Sequence, residues 1–224
     1  MTTKLSMTDR IEQAKIEAKT FATDDIIARI TSNGRMSSKE EAKLKVKCVS
    51  TRSDYEIELR RILDAPLEHR LILSEIVKNP TKQNIQEIIQ FAGIKETLAR
   101  ISPAAQHIKP TGGGRMGFNE EGEVSGFLAK GTKDIDFHIT GIGTKDIYGG
   151  LKYITARGGA QDHQANEVLH TMRLAAKKDN IFIAIIDGRA SGTYIRDLSK
   201  YTSRNVFVTD SEGLEPLLLT LASN

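Results

Sequence analysis

The chain has one cysteine, Cys48, and no tryptophan in 224 residues. A single thiol excludes an internal disulfide and any zinc site built from cysteines. Phenylalanine and tyrosine together make up 5% of the sequence, which leaves little material for the aromatic platforms that stack RNA or single-stranded bases. No run approaches the roughly 20 apolar residues that a bilayer span needs, and residues 1–10 carry no apolar signal-peptide core. The expectation is a chain that is neither secreted nor inserted in a membrane. Charge of one sign is scarce too: the net charge is +3, too small alone to mark a nucleic-acid partner.

What is present is ordinary in amount and uneven in placement. Hydrophobic residues make up 39% and charged residues 27%, a balance that supports a folded core. Residues 1–110 hold 19 Lys and Arg against 15 Asp and Glu, whereas residues 111–224 hold 13 against 14. The basic excess lies in the first half, and the second half collects carboxylates.

The first half reads as helix. Thr8 and Thr23 are candidate caps for two successive segments, and Asn33-Gly34 closes the second. Ser38 before Lys39-Glu40-Glu41 predicts a further start, residues 53–63 another helix, and Pro66 a restart. Asn79-Pro80 is a break, and Thr81 caps a helix with Ile85, Ile88, Ile89 and Leu98 on its core face. From Pro110 the period changes. A glycine-rich turn, Gly112 to Gly117, precedes short apolar segments at 126–130, 135–140 and 151–155 that predict a strand meander. A helix at 161–178, a buried strand at 181–186, a helix at 193–201, a strand at 205–208 and a helix at 212–221 follow. The expected fold class is α/β, with a central mixed sheet flanked by helices and a helical N-terminal region. The expected organisation is a helical region at 1–110 and a core at 111–224, joined in one compact unit.

Chemistry is most concentrated in the second half. Strand alternation through Lys133-Asp134-Ile135-Asp136-Phe137-His138-Ile139 turns Asp134, Asp136 and His138 to one face. Two carboxylates on one strand face are costly unless solvated, hydrogen-bonded or bound to a cation. A plain solvent-facing polar side is the competing reading. Lys152 is the one charged residue in Gly149-Gly150-Leu151-Lys152-Tyr153-Ile154, and a half-buried lysine there needs a carboxylate or phosphate partner, unless it snorkels at the strand end. Aspartate-held metal beside a lysine is apparatus for phosphodiester hydrolysis. Next, Arg157, Gln161, Asp162 and Gln164 cluster at a helix start after Gly158-Gly159. Such groups suit base edges and phosphates, and they equally suit a polar helix terminus. Arg115 in the glycine-rich turn is placed to track a phosphate, although the turn lacks the glycine-lysine ending of a nucleotide loop. Glu120, Glu121 and Glu123 are a reserve of acid; Asp187-Gly188-Arg189 reads as an ordinary turn. His163 and His170 have no third ligand nearby, so zinc is not expected.

An aspartate and a lysine on adjacent strands, followed by a helix and further α/β units, resemble the type II restriction endonucleases of the PD-(D/E)XK nuclease superfamily. The resemblance covers roughly residues 111–224, and the passage from Lys152 through Arg157, Gln161 and Asp162 to Glu167 carries it best. It implies a restriction-endonuclease-like core and a Mg²⁺-dependent, sequence-specific endonuclease acting on double-stranded DNA as a homodimer in a prokaryotic cytoplasm. Asp136, Lys152 and Glu167 would be catalytic, with Asp136, Asp134 and Glu167 on the metal. Arg157, Gln161, Asp162, Gln164 and Arg115 would contact DNA, and basic residues of the helical half would grip its backbone. One position departs from the pattern: the carboxylate normally two residues before the lysine is Gly150 here. Either Glu167 replaces it from the helix, or the site binds DNA without cutting it. The alternatives implied are a repair or recombination nuclease of the same fold and a catalytically silent DNA-binding module.

Overall fold

The computed structural model describes residues 5–77, 85–102, 105–108, 116–132 and 134–223. It divides into two compact units, residues 11–85 and residues 1–10 with 86–224. The division therefore falls at residue 85 and not at 110, and the expected single unit is two.

The smaller unit is helical. Helix α1 (Met7–Asn33), whose first turn belongs to the larger unit, is continuous where the sequence predicts two helices. Thr23 does not cap a new segment: its hydroxyl donates to the Lys19 carbonyl at 2.8 Å, one turn back. A threonine satisfied in this way needs no helix break. The start is capped by Ser6, whose Oγ accepts from Asp9 N at 3.1 Å, not by Thr8. Gly34, with φ +63°, ends it as expected. Helix α2 (Ser38–Thr51) is capped by Ser37 in a reciprocal box with Glu40, one residue earlier than Ser38. Helices α3 (Tyr55–Asp64, capped by Asp54) and α4 (Arg70–Ile76) follow, the latter starting later than Pro66. Ile26, Ile30, Leu44, Cys48, Ile62 and Leu73 form one core. The break at Pro80 and the cap at Thr81 lie outside the described residues.

The larger unit carries the sheet. Its order is α5 (Ile85–Ile101), β1 (Gln106–Ile108), a hairpin of β2 (Gly117–Phe118) and β3 (Val124–Ser125), β4 (Phe137–Thr140), β5 (Ile147–Tyr153), α6 (Ala160–Ala175), β6 (Ile181–Asp187), α7 (Ser191–Leu198), β7 (Val206–Thr209) and α8 (Leu214–Ala222). Five strands lie in the order β1-β4-β5-β6-β7. The pairs β1–β4 and β4–β5 are antiparallel, and β5–β6 and β6–β7 are parallel. The antiparallel start, the parallel crossovers and the α/β class follow the sequence reading. The expected strand at 126–130 is instead bends and turns after the hairpin. β1 was not read from the sequence.

Period two sorts the side chains of the sheet into two cores. Phe137, Ile139, Ile147, Leu151, Ile183 and Ile185 pack with Phe91, Ile94 and Leu98 of α5 and with Leu214 and Leu218 of α8. This is why α5 joins the sheet and not the helices before it. Phe182, Ala184 and Ile186 face the other way, against Val168 and Met172 of α6 and Tyr194 and Leu198 of α7. The two cores bury apolar area on opposite faces of β6, whose residues 182–187 are closed to solvent.

Candidate functional site

The two chemical residues of adjacent strands do share a face. Along β5, Tyr148, Gly150 and Lys152 are half-buried while Ile147, Gly149, Leu151 and Tyr153 are buried. Phe137 pairs with Gly149 and His138 with Tyr148. The backbone N–H of Asp136, just before β4, donates to the Gly149 carbonyl at 2.8 Å. Its carboxylate turns onto the Gly150 side of the sheet, where Oδ2 accepts from Leu151 N at 2.7 Å. Asp136 is thus fixed to the lysine strand through backbone and side chain. Successive residues on one strand face are about 7 Å apart, so Lys152 follows Gly150 on the face that Asp136 reaches.

Gly150 is the open position in this arrangement. A Cβ there would stand 3.6 Å from Phe182 Cζ and 3.7 Å from Asp136 Oδ2, ordinary contact distances. Gly149 differs: a Cβ would stand 1.9 Å from Phe137 Cζ, so the Phe137 ring requires that glycine.

Glu167 belongs to the helix that covers this face. In a crossover between parallel strands, α6 runs back alongside β5. The Glu167 side chain is 18% exposed and lies 3.5 Å from His163 Nε2 through Oε1. Asp136, Lys152 and Glu167 all have partners in the folded chain.

Asp134 is not brought to them. β4 starts at Phe137, and Ile135 packs in the α6-side core while Phe137 and Ile139 pack in the opposite one. The regular alternation that would align Asp134 with Asp136 therefore fails between residues 135 and 137, and Asp134 is exposed. Among the described residues no three His, Cys, Asp or Glu side chains converge as metal ligands. The expected set of Asp134, Asp136 and Glu167 is corrected to at most two of them. Glu120, Glu121 and Glu123 are exposed at the β2–β3 turn. That turn is tied to the far end of α6, with Lys177 Nζ donating to the Glu120 carbonyl at 2.6 Å.

The expected base-reading display is also rearranged. Gly158 and Gly159 have φ +105° and +52°, and this glycine turn starts α6. Asp162, His163 and Asn166 face solvent, whereas Gln161 and Gln164 are half-buried. Val168 lies in the core, and stepping back from it by helical turns passes through Gln164 and Gln161. The Oε1 of Gln161 is buried without a hydrogen-bond partner among the described residues. Asp162 accepts from the Tyr194 hydroxyl at 2.5 Å. This hydrogen bond, more than burial, pushes the tyrosine pKa upward. Arg157 pairs with Asp197 at 3.3 Å and lies 5.9 Å from the Tyr194 ring centre. Arg157 and Asp162 thus both engage α7. Arg115 lies outside the described residues.

Two polar groupings escaped the sequence reading. His138 stacks on Tyr148 with ring centres 4.7 Å apart, and its Nε2 is 3.0 Å from Asp146 Oδ2. Asp187, read as part of an ordinary turn, is the last residue of β6 and 3% exposed. It accepts from Gln90 Nε2 at 2.6 Å, Ser211 N at 2.9 Å and Ser211 Oγ at 2.7 Å. Burial pushes its pKa above the ordinary carboxylate value, against the lowering effect of these hydrogen bonds. An aspartate ending an unbroken apolar strand is a signal for such a network. Its partner on α5 leaves no mark in the local sequence.

Comparison of the chain with protein families, with curated proteins and with solved structures finds no match.

Proposed function

We propose that the chain is a Mg²⁺-dependent endonuclease of double-stranded DNA, with Asp136, Lys152 and Glu167 as its working residues. The observation that carries the reading is Asp136, fixed by the 2.7 Å bond from Leu151 N on the sheet face that Lys152 shares. The element order α5-β1-β4-β5-α6-β6, with the hairpin inserted, supports a restriction-endonuclease-like core. Mg²⁺ keeps several waters and takes one or two protein carboxylates plus substrate phosphate. In this reading Asp136 and Glu167 would be those carboxylates. When bound, the ion supplies charge neutralisation at the phosphate and a more acidic water. The Lys152 ammonium faces the charge that develops on the phosphoryl oxygens. Exposed Asn166 and His163 join Arg157 and Asp162 as the groups through which α6 would meet DNA, and homodimerisation would place one site on each strand.

The test is incubation with plasmids of varied sequence in Mg²⁺ and in EDTA. Discrete fragments with Mg²⁺ alone are expected for a site-specific enzyme. Smearing identifies a repair-type nuclease on the same site, and absence of DNA binding overturns the reading. Lys152→Ala is expected to lower cleavage by at least about a thousandfold with DNA binding retained. Gly150, which leaves the strand without its second acid, favours one rival: a module that binds DNA without cutting it. Binding of duplex DNA with no cleavage under Mg²⁺ or Mn²⁺ selects that rival.

A further inference from the structure

Lys152 stands where the sheet changes its support. The β4–β5 register runs from Ile139↔Ile147 to Phe137↔Gly149, whereas β5 continues to Tyr153 against β6. Beyond the Asp136 contact with Leu151, β6 is the strand neighbour that remains. The carbonyl of Lys152 instead receives a donor from α5: Gln90 Nε2, at 3.3 Å. The same amide nitrogen donates to Asp187 Oδ2 at 2.6 Å, and Ser211, after β7, donates twice to that carboxylate. Asp187 in turn is the register partner of Tyr153, and its carbonyl accepts from Ile154 N at 2.7 Å.

Gln90 is 2% exposed on a helix face whose other buried residues are Phe91, Ile94, Thr97 and Leu98. A buried amide costs free energy unless its hydrogen bonds are made, and a leucine or methionine would fill this place more cheaply. What a satisfied polar network adds is a fixed geometry. The amide fixes the main chain at the residue whose side chain the proposed reaction needs, from the opposite side of the sheet.

We propose that Gln90, held by Asp187 and Ser211, is a positioning residue for Lys152: it anchors the lysine's backbone where β4 no longer does. The assignment rests on the reading of Lys152 as the cleavage lysine. Gln90 itself touches no reacting atom, since its core lies on the α5 face and the Lys152 side chain on the α6 face.

The test uses the full chain with its lysines ¹³C-dimethylated, the Lys152 resonance being assigned by its loss in Lys152→Arg. Gln90→Met keeps the volume and removes the donor. Ser211→Ala leaves Gln90 in place and loosens its acceptor. Ile94→Val on the same helix serves as a control for a general loss of stability. The Lys152 resonance and its titration midpoint are expected to shift in Gln90→Met, to shift less in Ser211→Ala and to stay in place in Ile94→Val. Cleavage by Gln90→Met is expected to fall by about ten- to a hundredfold in kcat, with DNA affinity unchanged. An unmoved Lys152 titration in both folded variants overturns the proposal, as does an equal shift in Ile94→Val. If Gln90→Met fails to fold, Ser211→Ala decides by the same signal. A chain that never cuts DNA overturns the functional reading instead, and the NMR result still decides whether Gln90 positions Lys152.

Discussion

Neighbouring residues of one type have opposite requirements at this site. Gly149 lies under the Phe137 ring, so Gly149→Ala is expected to cost about 1–3 kcal/mol or more, read as a lowered midpoint in urea. Gly150→Ala meets only ordinary contacts and is expected to stabilise by about 0.5 kcal/mol, because alanine leaves the unfolded chain fewer conformations. Equal costs for the two would show that Phe137 does not pack as described. Asp187 supplies a pH test. Its folded pKa is raised by burial, so between the unfolded and folded values the folded chain binds the extra proton. Stability from this group is therefore greatest below the unfolded value and is lost as pH rises through the folded one. The stability of the natural chain relative to Asp187→Asn is expected to grow as pH falls from neutral towards about 4, measured by urea unfolding at each pH. A flat difference would mean that the buried carboxyl is not perturbed. At this scale the sequence was readable wherever alternation alone decides, as for Asp136 and Lys152. It failed at Asp134, because a break of alternation before β4 carries no residue signature.

Among elements, the starts of helices are governed by short polar groups whose exact member depends on geometry. Ser37 caps α2 through its box with Glu40, and Ser37→Ala is expected to cost about 1 kcal/mol in thermal melts, while Ser38→Ala stays near neutral. Burial pushes the Glu40 carboxyl up, but bonds from Arg29 and from Ser37 outweigh it and hold the pKa below the ordinary value. Its contribution is present above the unfolded value and lost as pH falls through the folded one. In helix α6 the helical period overrides residue polarity. Val168 and Met172 mark its inner face, and the same spacing turns Gln161 and Gln164 inward and Asn166 outward. The polarity of Gln161 and Gln164 suggested exposure, but the helical period decided otherwise. Engagement of Arg157 and Asp162 by Asp197 and Tyr194 was illegible, since α7 lies more than a turn of chain beyond any local pattern.

For the whole molecule, the antiparallel start and the parallel crossovers follow from the succession of glycine-punctuated strands and longer helices and are legible in the sequence, whereas the edge strand β1 and the β2–β3 hairpin are not. Nor is the boundary. Helix α5 reads like the helices before it, and only the pairing of Phe91, Ile94 and Leu98 with the sheet core assigns it to the larger unit. The two units have separate cores, residues 26–76 supplying one and strands with α5 to α8 supplying the others. Hydrogen exchange followed by mass spectrometry is expected to resolve two families of protected amides, with those of β6 among the slowest. A single opening free energy common to both units would show that they unfold together. The basic excess of the first half overstates its free positive field, because Arg29, Lys47 and Arg70 of the helical unit are already paired with Glu40, Glu75 and Asp24.

The vacancy at Gly150 has a genetic consequence. Every glycine codon becomes an aspartate or glutamate codon by one change at its second base. At Gly149 that change collides with Phe137; at Gly150 the first added carbon finds room beside Asp136. A second acid for the strand is therefore one mutation away, and in a mutagenised population selected for Mg²⁺-dependent DNA damage, substitutions at 150 are expected to recur while those at 149 do not.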